Sequence, residues 1–318
     1  MNRLRRQFLR QLGGAGLALG LGPLPARFAH AQGSRSSGLA LTDLGGGLSI
    51  VAGAGGNIVV HSGREGLLLV DSGAPASAGA LRTFLRERFD DADVAVLFNT
   101  HWHLDHTGGN DTLAGGRSIP IIAHENTRLW MSTKFYSDWE ERHYERRAPA
   151  ARPNQTFFTS DRQPLELDFG GEEVRYGHLL EAHTDGDIYV HFPQHNVVVA
   201  GGAVTAERYP VLDFITGGWI GGMVDATTKL LALTDAETLV VPEVGPVQRR
   251  SDLEAQRAML TTVRERIEAI ALQGRGVEDM LAERITKDFD ARYGEDSRQF
   301  IINAYESMWW SRLRGIVA

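Results

Sequence analysis

Cysteine is absent from all 318 residues. That excludes disulfides, thiolate nucleophiles and sulfur-ligated zinc. A hydrophobic core has to hold the fold, and imidazole or carboxylate has to hold any metal. A membrane-length apolar run is also missing: the stretch from Leu12 to Leu24 is short and broken by glycine. No Lys/Arg-rich run lies beyond the N-terminus, so the usual electrostatic footprint of a nucleic-acid binder is lacking. What is present is ordinary globular composition, 42% hydrophobic and 23% charged, with length enough for a large core. The formal net charge of −7 disfavours strongly anionic partners.

The N-terminus reads as an address. Arg5-Arg6-Gln7-Phe8-Leu9 is a twin-arginine pattern, followed by the Gly/Leu/Ala-rich stretch and the small-residue site Ala29-His30-Ala31. The expectation is a twin-arginine signal over residues 1–31, cleaved before Gln32. The protein would then be periplasmic, with no stable membrane anchor. Without the five signal arginines the chain keeps 28 basic against 40 acidic residues, a net charge of −12.

Residues 32–47 read as a flexible lead-in. Strand-like runs follow at Leu48–Val51, Asn57–His61 and Leu67–Val70. Pro75 to Phe89 carries apolar residues at helical spacing. Val94–Phe98 reads as a buried strand, Ile119–Ala123 as a short one, and Glu125–Trp130 opens a helix. Asp138 to Thr156 is charged and reads as a surface excursion. Strands resume at Glu173–His178, Ile188–Phe192 and Val197–Ala200. A flexible bend is expected over Gly217–Gly222, a helix over Met223–Leu233 and a strand over Thr238–Val241. Helices at Leu253–Leu272 and Phe300–Leu313 make a C-terminal helical extension, residues 249–318, in which Trp309 and Trp310 read as core or packing residues. Strand runs separated by helices predict two packed sheets with helices outside.

One segment stands out chemically. Thr100-His101-Trp102-His103-Leu104-Asp105-His106 places four zinc-type ligands within six residues. It follows the apolar Val94–Phe98 run. In an extended chain residues two apart face the same side, so His101 and His103 project together, Trp102 faces away, and Asp105 and His106 follow in the loop. A third histidine candidate, His183, sits in the turn Glu181-Ala182-His183-Thr184-Asp185-Gly186-Asp187. His124, His143, His178, His191 and His195 have no ligand-like spacing and read as structural.

The segment His101-Trp102-His103-Leu104-Asp105-His106 matches the H-x-H-x-D-H signature of the metallo-β-lactamase superfamily. Leu69-Val70-Asp71-Ser72-Gly73 resembles that family's early aspartate turn, and His183-Thr184-Asp185-Gly186-Asp187 its later histidine turn. The three arrive in the family's order. The resemblance implies an α/β (α+β) fold, a four-layered αβ/βα sandwich over residues 48–248. It implies one zinc on His101, His103 and His183, with Asp105 and His106 reaching a second position. Asp71 would hold the ligand loop by hydrogen bonds, and Asp187 would brace the His183 turn.

The resemblance also has two gaps. The family's bridging aspartate is replaced by Gly202 in Gly201-Gly202, and its last histidine by Val244 in Glu243-Val244-Gly245. Neither replacement can donate to a metal, so the second position is expected to be weak or absent. Glu243 is a substitute ligand only if it turns inward, and strand alternation beside Val244 argues against that. The resulting expectation is a hydrolase using zinc-bound water on a small ester, thioester, lactone or amide, with Asp105 and His106 as catalytic residues. The alternative is a catalytically inactive relative that binds zinc, a small ligand or a partner protein through the same cleft.

Overall fold

In Leu67-Leu68-Leu69-Val70 every side chain is apolar, so both faces of that strand have to be covered. The computed structural model describes residues 38–158 and 164–317, with side chains to Trp309; the segment read as an export signal and the side chain of Trp310 lie outside what is described. The strands are β1 (Ala40–Gly45), β2 (Leu48–Ala52), β3 (Ile58–Gly63), β4 (Gly66–Val70), β5 (Val94–Phe98) and β6 (Ile121–His124). A small hairpin, β7 (Phe135–Ser137) with β8 (Arg142–Tyr144), is followed by β9 (Gln155–Phe157). Then come β10 (Leu165–Phe169), β11 (Glu172–His178), β12 (Ile188–Phe192), β13 (Val197–Gly201) and β14 (Leu239–Pro242). The helices are α1 (Ala78–Arg88), α2 (Leu104–Thr107), α3 (Asn110–Ala114), α4 (Glu125–Met131), α5 (Ile220–Ala232), α6 (Arg250–Ala271), α7 (Val277–Ala282), α8 (Asp290–Tyr293) and α9 (Arg298–Val317).

The first sheet runs β1-β2-β3-β4-β5-β6-β9 and the second β10-β11-β12-β13-β14. Two-residue alternation sorts their side chains into three cores. Leu68, Val70, Val96 and Phe98 face Val190, Phe192, Val197 and Val199 between the sheets. Leu67, Leu69 and Leu97 turn the other way, onto Leu81 and Leu85 of α1 and Leu113 of α3. Val198 and Val240 turn onto the C-terminal helices, where Leu253, Leu260, Val263 and Ile267 of α6 meet Met223 and Leu230 of α5. Three cores between four layers make the expected sandwich.

Strands β4, β5, β6 and β9 are parallel, as are β13 and β14. Their carboxyl ends gather at one edge of the molecule, where an α/β sheet leaves its crevice. Several local expectations change. Residues 40–45 are not a loose lead-in but an edge strand paired with β2. The 138–156 excursion contributes β8, a short 3-10 turn and the start of β9, so it belongs partly to the sheet. The bend over Gly217–Gly222 is tight rather than flexible: a Cβ on Gly222 would meet the Glu181 carbonyl and one on Gly218 the His183 carbonyl, at 1.9 and 2.1 Å. Glycine there lets α5 start directly against the His183 turn. Trp309 is 46% exposed and is no core residue.

Candidate metal centre

The site begins where β5 ends. Past Phe98 the chain bends through Thr100 and Trp102, and Leu104–Thr107 forms one helical turn rather than a loop. The bend still brings the His101 and His103 rings together, centroids 4.8 Å apart. Trp102 packs among Phe135 and Tyr144 but does not stand clear of the ligands: its ring meets His103 edge-on, centroids 4.4 Å apart. His183 arrives from the turn between β11 and β12, its ring 4.8 Å from His101 and 4.7 Å from His103. His183 Nε2 lies 3.0 Å from His103 Nδ1. One ligand atom from each of the three falls within 4.8 Å of the others, a group that could hold a metal ion.

Each ring is aimed by its second nitrogen. His183 Nδ1 lies 2.8 Å from the Val211 carbonyl oxygen, and His103 Nε2 lies 3.1 Å from Asp213 Oδ2. His101 Nδ1 lies 3.0 Å from Thr100 Oγ1, while its Nε2 is buried without a hydrogen-bond partner. Such outer contacts fix the tautomer and leave one nitrogen free for a metal. Burial and the neighbouring His106, His103 and His183 rings hold the His101 pKa well below its usual value. Burial opposes charge on His103 too, but the Asp213 carboxylate outweighs it and raises that pKa.

Asp213 is a functional residue the sequence reading missed. It is buried, accepts from Thr216 Oγ1 at 2.5 Å, and has Trp139 Nε1 3.4 Å away. An aspartate 110 residues from its histidine has no local signal; only the fold brings them together.

Asp71 ends β4 with φ +67°, a left-handed conformation that aspartate tolerates better than most residues. Its carboxylate accepts from Thr100 N (2.8 Å), Thr100 Oγ1 (2.7 Å) and His106 Nδ1 (2.7 Å). His106 Nε2 is left buried and unpartnered, 3.8 Å from Asp105 Oδ2. Burial disfavours the His106 cation, but Asp71 overrides it and lifts the pKa to about 9. Asp105 is half exposed; burial pushes its pKa up, while His106 and His103 pull it below the usual value.

Glu243 turns inward, against the alternation argument. The strand has ended at Pro242, and Glu243 N donates to the Gly201 carbonyl at 3.0 Å. The residue is 8% exposed, and its carboxylate groups with His101 and His106 as a second set of metal-type ligands. Arg208 Nη2 holds Glu243 Oε1 at 2.6 Å. Gly202, where the family's aspartate would stand, lies against His183: a Cβ there would be 2.3 Å from the ring's Cδ2.

The His183 turn is braced from two sides. Asp187 accepts from Thr184 N at 2.8 Å and Thr184 Oγ1 at 2.9 Å, and burial pushes its pKa up to about 6. Helix α4 supplies Asn126 Nδ2 to the Asp185 carbonyl, Thr127 Oγ1 to the Gly186 carbonyl and Trp130 Nε1 to Asp185 Oδ1.

Comparison with known proteins accords with this geometry. The family model described as the metallo-beta-lactamase superfamily matches residues 52–248. The chain belongs to the metallo-β-lactamase superfamily. The same fold is found in a metallo-beta-lactamase from Pontibacter korlensis, at TM-score 0.55 and 20% identity, covering 70% of this chain and 99% of that one. A double mutant of the sec-alkyl sulfatase PisA1 aligns at TM-score 0.59 and 16% identity, covering 77% of this chain and 45% of that one. Among curated proteins, the 2,4-dinitroanisole O-demethylase subunit alpha of Nocardioides sp. (strain JS1661) is 29% identical over 174 residues, 54% of this chain and 47% of that protein. The chain thus spans about half the length of that relative.

Beside this candidate centre, His124 and His178 stack with centroids 3.8 Å apart and rings 6° from parallel. Burial lowers their pKa values to about 3 and about 4. An unfolded histidine titrates near 6.5, so below that pH the unfolded chain binds more protons. Stability is therefore fully present above about pH 6.5 and is lost as pH falls towards 4, by up to about 1.4 kcal/mol per pH unit for each ring. The loss of urea stability from pH 7 to pH 5 is expected to shrink in His124→Asn, which keeps an acceptor for Asn126 N. An undiminished loss would assign the effect to other groups.

Proposed function

We propose that this protein is an exported zinc-dependent hydrolase acting on a small ester, thioester, lactone or amide. One observation carries the reading: His101, His103 and His183 converge through Nε2, Nδ1 and Nε2, with the opposite nitrogen of each facing an oxygen. The donor set is three imidazoles, two of them buried, which fits zinc. When bound there, zinc supplies a Lewis acid and lowers the pKa of water towards 7. His101, His103 and His183 would hold the ion, and Asp213, on His103 Nε2, leaves Nδ1 to face it. Asp105 is exposed enough to meet solvent and close enough to orient an attacking water. Its carboxylate accepts the water's proton and returns it to the departing oxygen, sulfur or nitrogen. His106 Nε2 faces the same space and stabilises developing negative charge.

His106 and Glu243, grouped with His101, would supply a second, weaker position, weakened because Arg208 competes for the Glu243 carboxylate. A cavity of about 280 Å³ lined by Trp102, Leu104, Trp130, Phe135, Tyr144 and Arg147 shares the ligand loop as its wall and would take a flat or apolar part of the substrate.

The test is metal content beside turnover. One tightly held zinc is expected at the three-histidine set, lost in His103→Ala together with hydrolysis of a chromogenic panel that includes esters, lactams and 2,4-dinitroanisole. One zinc with no turnover across the panel would favour the inactive, ligand-binding alternative. Absence of zinc would sink both. Twin-arginine export belongs to the same proposal: Arg5→Lys with Arg6→Lys should retain the precursor, and a mature N-terminus other than Gln32 would contradict the cleavage site.

A further inference from the structure

We propose a second, separate metal site at the far end of the sandwich, built from His61, Glu172 and His195. The three come from different elements of the two sheets: His61 from β3, Glu172 from the start of β11, His195 from the turn between β12 and β13. Strand β11 runs from Glu172 to His178, beside the His183 turn, so about 20 Å of strand separates the two ends. One ligand atom from each residue lies within 4.8 Å of the others. His195 Nε2 is 2.5 Å from Glu172 Oε2, and His61 Nε2 is 3.4 Å from the same oxygen.

His61 makes this more than an ion pair. It is 1% exposed, and neither ring nitrogen has a hydrogen-bond partner; the Glu172 contact is out of line for one. Its other neighbours are apolar or aromatic, with Phe169 and Phe192 at 5.7 and 5.8 Å between centroids. A buried imidazole with both nitrogens orphaned costs stability, and a metal removes that cost at one of them. The space is also shaped for His195: a Cβ on Gly46 would stand 2.3 Å from His195 Nδ1, so the glycine turn before β2 seats that ring.

Two imidazoles and one carboxylate select a borderline divalent ion such as zinc, nickel or copper over magnesium or calcium, which prefer oxygen. The Glu172 side chain is 37% exposed, which opens the fourth position to water. Bound there, the ion would clamp the first sheet to the second at the end remote from the hydrolytic centre, where the chain has no disulfide to do so.

The decisive experiment removes the first site and counts metal at the second. The full chain carrying His101→Ala and His103→Ala is stripped with chelator, loaded with zinc and desalted. About one zinc per chain is expected to remain, and zinc is expected to raise the thermal midpoint. Adding Glu172→Gln should abolish both effects, as should adding His61→Phe, whose ring suits the Phe169 and Phe192 surroundings. In the chain with His101 and His103 intact, Glu172→Gln alone should lower zinc content by one and leave hydrolysis unchanged. Zinc retained undiminished in Glu172→Gln, in either background, overturns the site. Because turnover is read separately, failure here is distinguishable from failure of the hydrolase reading.

Discussion

Gly202→Asp is expected to strip metal from the three-histidine set, although it restores the family's own residue. A Cβ at position 202 would lie 2.3 Å from Cδ2 and 2.6 Å from Cγ of His183. The ring cannot swing aside freely, since Nδ1 is held by the Val211 carbonyl and the turn beneath it by Asp187. Overpacking of this kind costs about 1–3 kcal/mol when backbone must shift. Taken from ligand geometry, about 1.4 kcal/mol is already a tenfold loss of zinc affinity. Zinc titration of Gly202→Asp and Gly202→Ala separates the terms. If the clash dominates, both variants bind zinc at least about tenfold more weakly than the parent. A metal gained beside the three-histidine set in Gly202→Asp would show instead that the pocket opens and the second half-site is merely eroded.

Asp71→Ala should produce the largest loss of stability. The carboxylate is the one group that ties the end of β4 to both Thr100 and His106, through three hydrogen bonds of 2.7–2.8 Å. Its removal leaves a backbone N–H, a hydroxyl and an imidazole without their acceptor inside the protein, where an unpaired polar group costs about 1–3 kcal/mol. Alanine also tolerates φ +67° poorly. A total of about 4 kcal/mol lowers the thermal midpoint by roughly 10 °C. Asp71→Asn retains the backbone conformation but presents an amide N–H towards His106 Nδ1 in the flip that still accepts from Thr100 N. His106 would then carry its proton on Nε2 and lose its donor for the second position. The expected pattern is a folded Asn variant with the first zinc kept and the second position silenced. A midpoint unchanged in Asp71→Ala would show that the ligand loop does not depend on this carboxylate.

The ligand cluster was legible because its chemistry is local. His101, His103, Asp105 and His106 occupy six consecutive residues after an apolar strand, and the resemblance added Asp71, His183 and Asp187. The strands Val94–Phe98 and Ile188–Phe192 were read at their observed limits because uninterrupted apolar runs between polar turns leave little choice of register. Glu243 was misjudged for a physical reason. Alternation holds only while the strand lasts, and Pro242 ends it one residue too early for the rule. The bend at Gly217–Gly222 was misread because glycine signals freedom and close approach alike, and only the neighbouring carbonyls tell which. His61 and His195 showed no spacing at all, being 134 positions apart on different sheets.

What the sequence determined by itself was the kind of molecule: a cysteine-free chain with a core of alternating strands and one imidazole-rich loop after a buried strand. Those properties depend on neighbours within a few residues, where period and donor type can be read directly. What the tertiary structure alone decided was which groups share space. Asp213 behind His103, Glu243 beside His106, the ring of His183 over Gly202, and the His61, Glu172 and His195 cluster each depend on how two sheets and their loops pack. Packing between distant segments is set by the sum of many weak contacts rather than by any local pattern.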